Sequence, residues 1–245
     1  MTSTTTASAT PTAEIRMGHG LTAPDRPVRT DDKDVLMPSR PWRRIGLVGA
    51  AALSPLALAL QYGLNSAGLP RQDAEVYLAA VAAAPGRVLA STVAYAVGMA
   101  TMVGVGALAA IVLRRQAPVA SAASAALLTL GAVGGGAFVG LRLAALAFVE
   151  DGSVVPGGIA AFVRLQDAII NPVGLLLVCA IVGTMVMAFA MFRARRDIGW
   201  WPAAVTVVGF VLASGEFPTG VSVLGALVQG AALLPLARLA LASDR

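Results

Sequence analysis

Six apolar stretches, separated by short polar loops whose arginines fall mostly on alternate sides, constrain this chain more than any other feature. A helix of about 20 apolar residues crosses the ~30 Å hydrocarbon core of a bilayer. The stretches run over about 45–64, 87–113, 119–149, 172–192, 200–217 and 219–239, and the fifth is the shortest. Composition points the same way: 57% of residues are hydrophobic and 13% are charged, against about 45–50% and about 25% in an ordinary soluble domain. One soluble core would leave too little polar surface to face water, whereas lipid accepts an apolar exterior. The predicted fold class is therefore all-α, a polytopic membrane bundle of six transmembrane helices. Ser54-Pro55 in the first span predicts a kink.

Residues 1–41 are polar, rich in Thr, Ser and Pro, and carry mixed charge such as Thr30-Asp-Asp-Lys-Asp34. No apolar periodicity runs through them, which predicts a disordered cytoplasmic tail. No apolar run follows a basic start, so the tail does not read as a signal peptide. Residues 42–240 form the expected six-helix transmembrane domain, and 241–245 a short cytoplasmic end.

Orientation follows from arginine bias, which works best in short loops. With six spans, one side holds the tail, Arg43, Arg44, Arg114, Arg115, Arg193, Arg195, Arg196, Arg238 and Arg245, and the other holds Arg71, Arg87 and Arg164. Both termini are predicted to be cytoplasmic, in a bacterial plasma membrane. Trp42, Trp200 and Trp201 fall at the same edge, where indole rings anchor among headgroups. Pro202 suits the first turn of the fifth helix. The net charge of +5 follows from these loops beside anionic lipid and gives no reason to invoke nucleic acid.

Several chemistries are excluded. Cys179 is the only cysteine and His19, in the tail, the only histidine. There is no internal disulfide, no Cys cluster for a metal, no bis-histidine haem site and no Ser-His dyad within the membrane. No His-Glu-x-x-His pattern and no pair of membrane aspartates is present. No cofactor and no metal is expected. An enzyme would have to work with Arg142, Glu216, Asp167 or a bound group.

Two outer loops are long enough to fold. Residues 70–84 predict a short helix ended by Pro85-Gly86, with Ala74, Tyr77, Leu78 and Val81 as its apolar face. Residues 158–171 place Ile159, Phe162, Val163 and Ile170 at helical spacing. Both are expected to lie in the outer interface rather than to cap the bundle.

Small residues mark the second and third spans. Ala132, Gly136 and Gly140 recur every four residues, beside Gly131, Gly134 and Gly135, and Ala94, Gly98 and Gly106 form a similar set. Small residues let helix backbones approach closely. The expected use is packing within the chain, and the alternative is a face for a second membrane protein.

Arg142 is the charge of most interest. Counting ~1.5 Å per residue puts it near the outer boundary of the core. Two readings are open: the guanidinium snorkels to the interface, or it faces inward, paired with a carboxylate or holding an anionic ligand. Glu216 and Asp167 match its depth, with Arg164 one turn from Asp167. Gln61, Asn65, Gln166 and Asn171 also belong near the outer face. Arg142, Asp167, Glu216 and Asn171 are the candidate ligand-binding set. Gln229, Thr184 and Thr206 read as packing residues that bond neighbouring helices or their own backbone.

The layout resembles a broad group of six-span integral membrane proteins, common in actinobacteria and grouped as a domain of unknown function. An outer helix ends in Ala-Ala-Pro-Gly-Arg87. A second span ends in Leu113-Arg-Arg-Gln116, and the third carries Gly140-Leu-Arg-Leu143. A short outer helix precedes Asn171-Pro172, and Arg193-Ala-Arg-Arg196 precedes a Trp-Pro pair. The resemblance covers about residues 42–240 and implies the six-span fold. It carries over no catalytic residue. The leading expectation is a non-enzymatic membrane protein binding or transporting a small solute or ion through an outer-facing polar cluster. The alternative is a structural or assembly subunit that docks membrane-protein partners, or a second copy of itself, through its glycine-rich helices.

Overall fold

In the computed structural model, helix starts fall where the sequence supplies prolines. α3 (Pro85–Leu113) and α4 (Pro118–Ala147) each open on proline, after Ala84 (φ −151°, ψ 58°) and Ala117 (φ −146°, ψ 64°) in non-helical conformation. The first backbone N–H groups of a helix have no partner, so proline loses nothing there. α1 (Pro41–Leu64) and α7 (Trp201–Ser214) also carry proline in their first turn. The structure describes residues 41–65, 67–68, 70, 73–214 and 217–242. The tail read as disordered, the end at 243–245, Arg71 and Glu216 lie outside them.

The remaining elements are α2 (Ala74–Ala83), a two-residue-per-strand hairpin of β1 (Val149–Glu150) and β2 (Ser153–Val154), α5 (Gly158–Arg193), the single turn α6 (Arg195–Ile198), α8 (Thr219–Ala232) and α9 (Leu234–Ala242). Asp151 and Gly152, both at positive φ (47° and 74°), turn the hairpin, as an Asp-Gly pair favours. α1 packs on α3, α3 on α4, α4 on α5, α5 on α7, α7 on α8 and α8 back on α1, so the long helices close a ring.

Five segments are long and apolar enough to cross a membrane: Trp42–Leu64, Pro85–Leu113, Pro118–Ala147, Val173–Arg193 and Thr219–Ala242. Only 33–39% of each is buried inside the protein, and the outward side carries Leu53, Leu56, Leu60, Val93, Val133 and Val178. Such an exterior is stable only where the solvent is itself apolar. The predicted fifth span is shorter than read: α7 has 14 residues, about 21 Å at 1.5 Å per residue. The last crossing segment is two helices, because Pro235 has no N–H to continue the ladder; the chain turns at Leu233, whose N–H bonds the Gly230 carbonyl at 3.0 Å.

Two apolar cores occupy the two ends. At the arginine end, Leu108, Leu113, Ala117, Met191, Ala194, Ile198, Ala203 and Leu236 pack together. At the cap end, Tyr77, Leu78, Val81, Val88, Leu141, Ala145 and Phe162 do so.

The cap revises two expectations. α2 does lie where the sequence placed it, capped by Asp73, whose carboxylate accepts from the Glu75 and Val76 N–H groups at 2.9 and 3.2 Å. Its apolar face does not rest in the interface, however: Tyr77, Leu78 and Val81 are fully buried against protein. The second outer helix and the fourth span are not separate either. They form one helix of 36 residues, α5, running through Asn171-Pro172.

The glycines also sort differently from the four-residue spacing. A Cβ on Gly131 or Gly134 would collide with α5 at Ala180 or Leu176, and one on Gly135 with Met99 of α3. Gly136 and Gly140 face outward, with nothing within 4 Å of such an atom. Gly136 and Gly140 therefore do not pack the bundle. Gly98 and Gly106 do, against Leu58 and Ala125.

Candidate functional site

Arg142 sits one turn and a half before the end of α4, between the fully buried Leu141 and Ala145. The helix turns this face toward α3 and the cap, and Arg142 retains 3% of its surface. It does not snorkel. Four elements converge on it, and its partners are neutral.

Asn65, just past the end of α1, presents Oδ1 to Arg142 Nη2 at 2.7 Å. The amide is held in that sense because its Nδ2 donates to the Gly68 carbonyl at 3.0 Å. Ser91 of α3 donates its hydroxyl to the Val88 carbonyl at 2.9 Å, leaving its oxygen to accept from the same Nη2 at 3.4 Å. Tyr95, one turn further along α3, lies with its ring centroid 5.9 Å from the guanidinium carbon, within reach of a cation–π interaction. Arg142 Nε–H is buried and has no hydrogen-bond partner.

Tyr77 of α2 closes the site from above. Its ring stacks on Phe162 of α5 at 5.6 Å and 11°, and Phe148 meets Phe162 edge-on at 6.2 Å. Its hydroxyl is buried without a hydrogen-bond partner. It lies within the field of Arg142 but makes no aligned hydrogen bond to it. Burial pushes the Tyr77 hydroxyl above its ordinary pKa, and the neighbouring guanidinium acts in the opposite sense. Tyr77 is thus a protonated donor at neutral pH. Gln166 of α5 pins the loop before α2 by donating to the Pro70 carbonyl at 2.5 Å.

The electrostatics are one-sided. An arginine stays charged in proteins, and a buried charge without a counter-charge is costly. At this end the carboxylates among the described residues, Asp73, Glu75, Glu150, Asp151 and Asp167, are all exposed. Among the described residues, no group of three or more His, Cys, Asp or Glu gathers.

The predicted set is therefore brought together only in part. Arg142 is at the centre. Asp167 stands exposed on α5. Asn171 lies on α5, but its side chain, like the whole of Glu216, is outside the described residues. Asn65 and Gln166, read as polar residues of the outer face, do contribute. Ser91, Tyr95 and Tyr77 were missed as site residues. Ser91 and Tyr95 stand four apart on an otherwise apolar helix at the depth of Arg142, which is the signal that would have found them.

A second polar spot lies mid-bundle. Ser54 donates to the Gly98 carbonyl at 3.0 Å, beside a cavity of about 40 Å³ also lined by Thr184 and Gln229. It has room for a water molecule or two. Thr184 and Thr206 donate to carbonyls of their own helices, Ala180 and Pro202, each at 2.8 Å.

No protein-family model, no curated protein and no solved structure matches the chain.

Proposed function

We propose that this chain is a six-span integral protein of a bacterial plasma membrane, of the kind it resembles in layout, and that it binds or transports a small solute or ion at Arg142 near its outer face. The observation that carries the reading is a cation retaining 3% of its surface, held by neutral partners and roofed by its own cap. Ionisable groups at membrane depth are expensive and mark ligand or ion sites.

Six crossings are supported by the path of the chain. The end of α5, the start of α7 and α9 share the arginine-end core, through Met191, Ala203 and Leu236. α7 must then carry the chain to the cap end for Thr219–Ala242 to return it. Arg43, Arg44, Arg114, Arg115, Arg193, Arg195, Arg196 and Arg238 gather at the arginine end, against Arg87 and Arg164 at the exposed rim of the cap. That bias supports a cytoplasmic arginine end. In a Cys179→Ala background on intact cells, an impermeant maleimide is expected to label Asp151→Cys, and Arg115→Cys only after permeabilisation. The reverse pattern would refute the orientation.

The site is tested by thermal unfolding of the purified chain in detergent against a panel of ions and small metabolites. A ligand of the folded state at 100 times its dissociation constant adds about 2.7 kcal/mol. Saturable stabilisation by one class of solute, lost in Arg142→Gln, is the expected result. Stabilisation that survives Arg142→Gln would remove Arg142 from the site.

The assembly reading keeps one observation in its favour. Gly136 and Gly140 present an open, small-residue face to the exterior, which suits close approach of another helix. Loss of an oligomer or a copurifying subunit in Gly136→Leu would support it, and an unchanged assembly state would end it.

A further inference from the structure

We infer that the ligand of the Arg142 site is a small monovalent anion, a halide or the carboxylate of a small acid, held between Arg142 Nε and the Tyr77 hydroxyl. The inference rests on the solute-binding reading above and adds the ligand's charge, its size and a second binding residue.

Two buried donors stand within interaction range of one another, and neither has an aligned partner. Arg142 retains 3% of its surface and leaves Nε–H unpaired, and Tyr77 retains none and leaves its hydroxyl unpaired. Buried polar groups are almost always hydrogen-bonded, so each orphan calls for an acceptor. Among the described residues no aligned acceptor is present: Asn65 and Ser91 are committed to Nη2, Tyr95 offers its ring face, and the Tyr77 oxygen, though near enough to interact with the guanidinium, is not aligned to accept from it.

A water molecule accepts hydrogen bonds but brings no charge, and none of the carboxylates among the described residues is buried beside Arg142. A monoanion accepts from both and cancels that charge, which is why hydrogen bonds to ionised acceptors are the strong ones. A cation is excluded by repulsion from the guanidinium. A large or doubly charged ligand is disfavoured by the enclosure, since Tyr77, Leu78, Leu141 and Phe162 around the site are fully or almost fully buried. The five carboxylates on the exposed rim, Asp73, Glu75, Glu150, Asp151 and Asp167, rule out a broad positive funnel, so selectivity comes from contact rather than from steering.

The experiment uses the full chain in a buffer whose only anion is a bulky sulfonate. Sodium chloride, bromide, formate, acetate and phosphate are titrated against thermal unfolding, with the cation varied separately and neutral sugars and amides as controls. The expected result is a saturable rise in Tm with chloride, bromide, formate or acetate, indifferent to the cation. Halide and carboxylate arms then rank the two sources of the same charge. Tyr77→Phe keeps the ring stacked on Phe162 and removes one donor to an anion, so it is expected to weaken the apparent affinity about tenfold. It remains informative if Arg142→Gln does not fold. A saturable shift from a neutral or cationic solute, with no response to anions, would overturn the anion inference and leave the solute-binding reading standing. Anion effects unchanged in Tyr77→Phe would overturn the assigned contact. No saturable shift from any solute would overturn both, with water as the remaining occupant of the donors.

Discussion

Gly225→Val is expected to destabilise the bundle by about 3 kcal/mol or more, at the upper end of what overpacking costs. α7 and α8 meet backbone to backbone at this point. A Cβ on Gly225 would lie 2.4 Å from the Ala213 nitrogen and 2.8 Å from the Gly209 carbonyl oxygen, and one on Gly209 would lie 2.6 Å from the Gln229 nitrogen. Side chains yield by changing rotamer, but these atoms are main chain in two helices, so relief requires the hairpin to separate. Gly136→Val is the reference. A Cβ at that position would meet nothing within 4 Å outside its own helix, and the effect is expected within about 0.5 kcal/mol. Reversible unfolding in mixed micelles measures both. Equal effects of the two substitutions would mean that α7 and α8 are not in contact as described.

Tyr77→Ala is expected to remove about 3–5 kcal/mol, the usual loss when a buried aromatic side chain is truncated. The loss should be local, because α2 joins the bundle chiefly through Tyr77, Leu78 and Val81. Amide exchange in α2 would then accelerate roughly a hundredfold or more, at tenfold per 1.4 kcal/mol, while α3 and α4 near the arginine end keep their protection. Val76, on the same helix but 62% exposed, gives the control: Val76→Ala should leave exchange nearly unchanged. If both substitutions behave alike, α2 is not docked by this face.

The two cases show what pattern alone conveys. The apolar face of α2 was legible at Ala74, Tyr77, Leu78 and Val81, because 3.6-residue periodicity picks out a face. Its destination was not legible, since a face that fits lipid and a face that fits protein have the same composition. The glycines failed for the same reason. On a helix that is apolar all round, spacing identifies stripes but not which one meets a neighbour, and Gly131, Gly134 and Gly135 won over Gly136 and Gly140. Asn171-Pro172 was read as a break between two segments, whereas a long helix with neighbours on its flanks tolerates one missing ladder bond. The centre of the site was legible because an arginine inside an apolar run is costly wherever it points. Its surroundings were not: Asn65 and Ser91 lie 77 and 51 positions away in sequence, a closeness that only the closed ring of helices produces.

One consequence of α5 is mechanical. At 36 residues it is about 54 Å long, more than the ~30 Å hydrocarbon thickness, and the part long and apolar enough to cross a membrane is Val173–Arg193, which leaves the half bearing Phe162 and Gln166 as a mast beyond that segment. A mast of continuous helix transmits torque, and its stiffness is lowest where a ladder bond is missing, at Pro172. That compliant point separates the arm that carries the aromatic roof from the arm anchored by Met187 and Met191 in the opposite core.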